Sequence, residues 1–211
     1  MVERRKPVKT PGDALISGQP NDDFTLPATL WYGAVRLFTS AMIAAERKDR
    51  HKQEQDLLAA LFLGFAFFEA SLNQAAFGHA EAHRAALPQP EVDVLEEKET
   101  TIDEQGNIIR RARYYPLEAR FSFVCQFLAG KEFDRSTPLW NKLKEARQLR
   151  DTWVHPKPPF DTWSLTPDQV REVLVTLHQV NVELSRMMGL DPPLWLVEFD
   201  ELFERLRRGK E

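Results

Sequence analysis

The segment Arg150-Asp151-Thr152-Trp153-Val154-His155-Pro156 sets an arginine and a histidine apart by four residues, at the predicted end of an amphipathic helix. A guanidinium stays charged and can stabilise the negative charge that builds on a phosphorane, while an imidazole moves protons near neutral pH. The pair therefore suits phosphodiester cleavage. Geometry sets a condition: five positions along a continuous helix separate two residues by about 140° and ~7.5 Å. The two side chains converge only if the helix ends near Trp153, which Pro156 favours by restricting His155. The plainer alternative is that Arg150 pairs with a nearby carboxylate and His155 caps the helix end, where a cation is favoured.

Helical periodicity dominates the rest of the chain. A first helix is predicted over residues 27–52, opened by Pro27 and carrying Leu30, Trp31, Ala34, Val35 and Phe38 on its apolar face. The charged run 46–50 either frays its end or joins it to the second helix, predicted over 54–84. That helix is apolar almost all round at Leu61-Phe62-Leu63-Gly64-Phe65-Ala66-Phe67-Phe68, so it belongs in the middle of a bundle or under a second subunit. Residues 86–115 read as an insertion built on a β-hairpin, with an acidic first arm, a turn at Gln105-Gly106-Asn107 and a basic second arm running to Tyr115. Further helices are predicted over 116–129, from Thr137-Pro138 through Trp153, from the capping box Thr166-Pro167-Asp168-Gln169, and after Asp191-Pro192-Pro193. The fold class expected is all-α, an up-and-down helical bundle with a small β-hairpin insertion. Residues 1–25 read as a flexible arm and 26–211 as one helical domain.

Composition narrows the partners. The net charge of −4 argues against a tight, non-specific nucleic-acid binder and leaves any RNA contact to a local basic patch. One cysteine excludes an intrachain disulfide and a cysteine-based zinc cluster, and fits a reducing cytoplasm. The most apolar run, residues 57–70, is too short to cross a bilayer and contains Glu69, so no membrane span is expected. The N-terminus lacks the apolar core of a secretory signal.

The stretch LKEARQLRDTWVHP resembles the HEPN superfamily, whose ribonuclease members carry an arginine, a polar residue, three variable residues and a histidine near the end of a late helix. Arg150, Asp151 and His155 take those positions, with Asp151 where many members have asparagine. The stretch FFEASLN, residues 67–73, looks like the family's early helix, in which an acidic residue and an asparagine four positions later point toward the active site. Glu69 and Asn73 match these, and lie one helical turn apart on one face. The resemblance covers roughly residues 26–184. It implies a metal-independent endoribonuclease acting as a homodimer, with no cofactor, serving as a toxin with its antitoxin or as an anti-phage effector within a defence system. It equally admits a non-catalytic adaptor binding RNA, a nucleotide or a protein through the same cleft. Lys157 stands where toxins paired with a nucleotidyltransferase antitoxin carry a modifiable tyrosine, which argues against that subgroup.

Other candidates are weaker. His79 and His83, one turn apart, form a possible metal pair without a third ligand, and read better as a solvated helix end. Arg110-Arg111-Ala112-Arg113-Tyr114-Tyr115 mixes cations with aromatic faces as single-strand RNA contacts do, but reads better as a charge-paired hairpin arm. The chain carries no phosphate loop, GxSxG elbow or dinucleotide fingerprint.

Overall fold

The structure, a computed structural model, describes residues 25–155, 164–193 and 196. Among these, six helices surround a common core: α1 (Leu26–Glu46), α2 (Arg50–His83), α3 (Gln89–Leu95), α4 (Leu117–Ala129), α5 (Pro138–Val154) and α6 (Pro167–Met187). Between α3 and α4 lies an antiparallel hairpin, β1 (Lys98–Ile102) and β2 (Ile108–Ala112). The helical class and the hairpin are as expected. The N-terminal arm, Pro156, Lys157 and all of the final predicted helix except Leu196 lie outside the described residues.

Three helix starts follow directly from threonine caps with a first-turn proline. Thr25, Thr137 and Thr166 each accept a hydrogen bond from a backbone N–H of the first turn, and Thr166 completes a capping box with Gln169. The first helix does not run to residue 52. It ends at Glu46, because Lys48 turns left-handed (φ 58°) and the Asp49 carboxylate takes the Lys52 N–H at 3.0 Å, starting α2. The charged run is thus a turn, and α1 folds back along α2, with Trp31 and Phe67 rings 4.7 Å apart.

α2 is the central element. Its Phe67 meets Trp31 of α1, its Phe68 meets Phe121 of α4 at 5.7 Å, and its Gly64 faces Leu174 of α6. Leu57, Leu61, Phe67, Phe68 and Leu72 are fully buried. The chain's own helices therefore cover much of the apolar centre that raised the prospect of a second subunit, while Phe62, Leu63 and Ala66 stay partly exposed. By length and composition α2 alone among the described helices could cross a bilayer, but half of that stretch is buried against its neighbours.

The insertion differs from the simple hairpin expected. Residues 89–95 form α3, whose Val92 and Leu95 are buried, and β2 stops at Ala112 instead of reaching Tyr115. The turn is held by Asp103, whose carboxylate accepts from the N–H groups of Gln105 and Asn107, while Gly106 supplies the positive φ. Asp93 on α3 clamps the hairpin by accepting from Gln89 (2.7 Å), Thr100 (2.9 Å) and Arg110 (2.6 Å). Cross-strand charge pairing is realised in part: Arg113 meets Glu99 at 3.0 Å, but Arg110 leaves the sheet for Asp93 and Glu96.

Close approach of α2 and α6 depends on Gly64. A Cβ there would lie 2.6 Å from Leu174 Cδ2 and 3.4 Å from Leu177 Cδ1, inside the core. Gly64→Ala gains about 1 kcal/mol in helix propensity but overpacks at a cost of about 1–3 kcal/mol. The cost prevails, and thermal denaturation should show a midpoint lowered by a few degrees; an unchanged or raised midpoint would mean that the two helices separate freely.

Candidate functional site

α5 carries Arg147, Arg150 and Asp151, whose side chains meet in one cluster of charge. The Arg150 guanidinium donates through Nη1 to Glu69 Oε1 of α2 at 2.8 Å, and through Nε and Nη2 to Asp151 Oδ1 at 3.1 and 2.8 Å. Its flat face lies over the Phe65 ring, 4.9 Å from the centroid. Two carboxylates and an aromatic face thus hold one cation, four-fifths buried. Three of the five predicted residues, Arg150, Asp151 and Glu69, are brought together, across 81 positions of sequence in the case of Glu69.

Asn73 is drawn elsewhere. It shares the α2 face with Glu69, but its Oδ1 accepts from Nη1 of Arg120 on α4. His155 stands at the other limit of the cluster. α5 ends at Val154, one residue beyond the expected Trp153, and His155 is its C-cap at φ −124°, ψ 64°. Its backbone N–H returns to the Asp151 carbonyl at 2.9 Å, while the imidazole is exposed and makes no hydrogen bond among the described residues. The plainer alternative, a paired arginine and a capping histidine, thus describes the local contacts.

The cluster contains residues that motif reading missed. Arg147 pairs with Glu118 of α4 and reaches Asp151 Oδ2 at 3.3 Å. Its place one turn before Asp151 was the available signal. Glu118 is half-buried, and the Arg147 hydrogen bond outweighs burial to hold its carboxyl below the usual range. Arg120, 4 % exposed, also reaches Glu97 at 3.2 Å and the Leu95 carbonyl at 3.4 Å. Burial pulls its guanidinium below its ordinary value, while Glu97 and Glu69 push it back up, so it stays charged. No local pattern announces Arg120, since its partners lie on α2 and at the α3–β1 junction.

Beside the end of α5, a cavity of about 240 Å³ is lined by His51, Glu54, Gln55, Leu58, Trp153 and Leu165. The remaining candidates separate from the cluster. The His79 and His83 rings lie 4.5 Å apart, tilted by 41°, and burial together with His83 pulls His79 below its ordinary value. No group of three or more His, Cys, Asp or Glu is placed to hold a metal ion among the described residues. Arg110 and Arg113 are engaged by carboxylates, in keeping with the charge-paired reading of that arm. The Cys125 thiol is buried and pushed up to about 12 by desolvation, so it is no nucleophile. No family model, curated protein or solved structure matches the chain.

The depressed Glu118 carboxyl has a consequence for stability. Its unfolded value lies near about 4.3, so the pair with Arg147 stabilises the fold above that pH and the contribution is lost as pH falls through the lower folded value. Glu118→Gln removes the linkage. Melting curves from pH 6 to pH 3 should fall less steeply for this variant than for the wild type; parallel curves would show that the pair contributes nothing.

Proposed function

We propose that this chain is a HEPN-like domain, an up-and-down helical bundle, and a metal-independent endoribonuclease with Arg150 and His155 as its reacting pair. The observation that carries the reading is Arg150 itself: a guanidinium held at a helix end by Glu69 from a distant helix, one turn from an exposed histidine. His155 takes the proton of a ribose 2′-hydroxyl, and the 2′-oxygen attacks the adjacent phosphorus. Arg150 neutralises charge on the pentacoordinate phosphate. The P–O5′ bond breaks, the 5′-oxygen takes up the proton that His155 received, and the products are a 2′,3′-cyclic phosphate and a 5′-hydroxyl. The nucleophile belongs to the substrate, so no metal is needed to generate it. Glu69 and Asp151 orient Arg150.

We further propose a cytoplasmic homodimer that pairs the Arg150–His155 ends of two copies, serving as a toxin or anti-phage effector. Isologous pairing brings both exposed histidines toward one axis. One observation favours a second reading, a non-catalytic adaptor for RNA, a nucleotide or a protein partner: Arg150 is already neutralised by two carboxylates.

Purified protein should cleave RNA in the presence of EDTA. Arg150→Ala and His155→Ala should each lower the rate by about 10²–10⁴ with the fold intact, and Glu69→Ala or Asn73→Ala by less. Absence of cleavage, or a His155→Ala variant as fast as wild type, replaces the nuclease with the adaptor. The homodimer should give twice the chain mass in solution at micromolar concentration, and a strictly monomeric mass removes it.

A further inference from the structure

Arg120 is a cation with no exposed role. It lies on α4, 4 % exposed, and draws together three parts of the chain: Asn73 of α2, the Leu95 carbonyl at the end of α3, and Glu97 at the start of the hairpin. Glu97 reaches it from a left-handed backbone (φ 50°), which a non-glycine side chain adopts only when its surroundings hold it there. The Glu97 carbonyl also accepts the Arg113 N–H at 2.8 Å, so this residue is fastened to the second arm of the hairpin.

The contact with Asn73 has a chemical direction. A carboxamide has an accepting end and a donating end. A guanidinium only donates, so it takes the oxygen and leaves the two N–H donors unclaimed; Asn73 Nδ2 has no hydrogen-bond partner among the described residues. Asn73 lies one turn from Glu69, the residue that holds Arg150, and Glu69 is near enough to Arg120 to act on its charge. An anion bound at Arg150 needs further donors once its charge grows.

We propose that Arg120 is a positioning residue: by claiming the Asn73 oxygen it presents the amide's N–H donors to a phosphate bound beside Arg150, and Glu97 fixes Arg120 for this task. The hairpin insertion is thereby part of the site and not a decoration. The role in catalysis depends on the nuclease reading, but the orientation of Asn73 does not.

Two measurements test it. In RNA cleavage, Asn73→Ala and Arg120→Lys should each lower kcat about tenfold with KM within about twofold, and the double variant should be no slower than either single. Additive losses overturn the proposal, because they mean that Arg120 does not act through Asn73. The second measurement needs no activity. In the ¹⁵N relaxation of the Asn73 side-chain amide, the wild type should be as rigid as the backbone, and Arg120→Lys and Glu97→Gln should both loosen it. Glu97 lies at the surface end of the chain of contacts, so Glu97→Gln remains informative if Arg120 variants fail to fold. An amide equally rigid in all folded variants overturns the proposal. If no RNA is cleaved, the nuclease reading falls while the amide relaxation still decides the role of Arg120.

Discussion

A helix buried along its middle must hand every polar side chain it carries to a neighbour. α2 is such a helix, and its four inward polar residues show the rule. Asp56 takes Lys52 at 2.6 Å, Ser71 returns to its own Phe67 carbonyl at 3.0 Å, Glu69 takes Arg150, and Asn73 takes Arg120. The first two make hydrogen bonds within α2, Asp56 through Oδ1 alone. The last two do not, and they set which residues of α4 and α5 must face α2. Leaving the buried Arg120 unpaired would cost several kcal/mol, so its pair helps to set the register of α4, while the more exposed Arg150–Glu69 pair directs α5 less strongly.

The cluster that results is crowded with both signs. Arg147 and Arg150 meet Glu118, Asp151 and Glu69 in a connected set of pairs, and Arg120 with Glu97 forms a separate pair. Arginine is the residue such a set needs. Its planar fork bonds two carboxylates at once while its face lies on an aromatic ring, as Arg150 does with Glu69, Asp151 and Phe65, and burial does not discharge it. Lysine could fill only one of those roles. Because Arg150 is shared between two acids, an incoming phosphate has to compete with Glu69 for it, and Glu69, nearly half exposed, is the partner with room to yield.

Legibility in the sequence followed the range of the interaction. Pro27, Thr137-Pro138 and the Thr166 capping box gave away the starts of α1, α5 and α6 because such a signal is complete within four residues. The end of α1 was hidden because Lys48 is left-handed by context, and nothing in Glu46-Arg47-Lys48-Asp49-Arg50 distinguishes a turn from a charged helical face. α3 escaped because seven residues, opened by Pro88 and Pro90, carry too few apolar positions for a period to emerge. Of the cluster, Arg150 and Asp151 were visible as a local motif, and Glu69 through its own helix. Arg120 was not, since it meets Asn73 across 47 positions, a distance over which one sequence holds no signal.

Arg150 and His155 differ in how far they are prepared. Arg150 has its rotamer fixed by three hydrogen bonds and a ring face, so the ordering cost of that side chain is met on folding. His155 has only its backbone fixed, through the Asp151 carbonyl, and its imidazole is free to turn. The i−4 bond keeps the His155 backbone on the helical spiral, about 140° round from Arg150, and the ψ of 64° turns away only the chain that follows. Nothing within the described chain holds the ring over the guanidinium. Whatever draws the imidazole to a shared phosphate must therefore approach from outside the helix end, and its binding free energy must cover the rotamer order that folding left unspent.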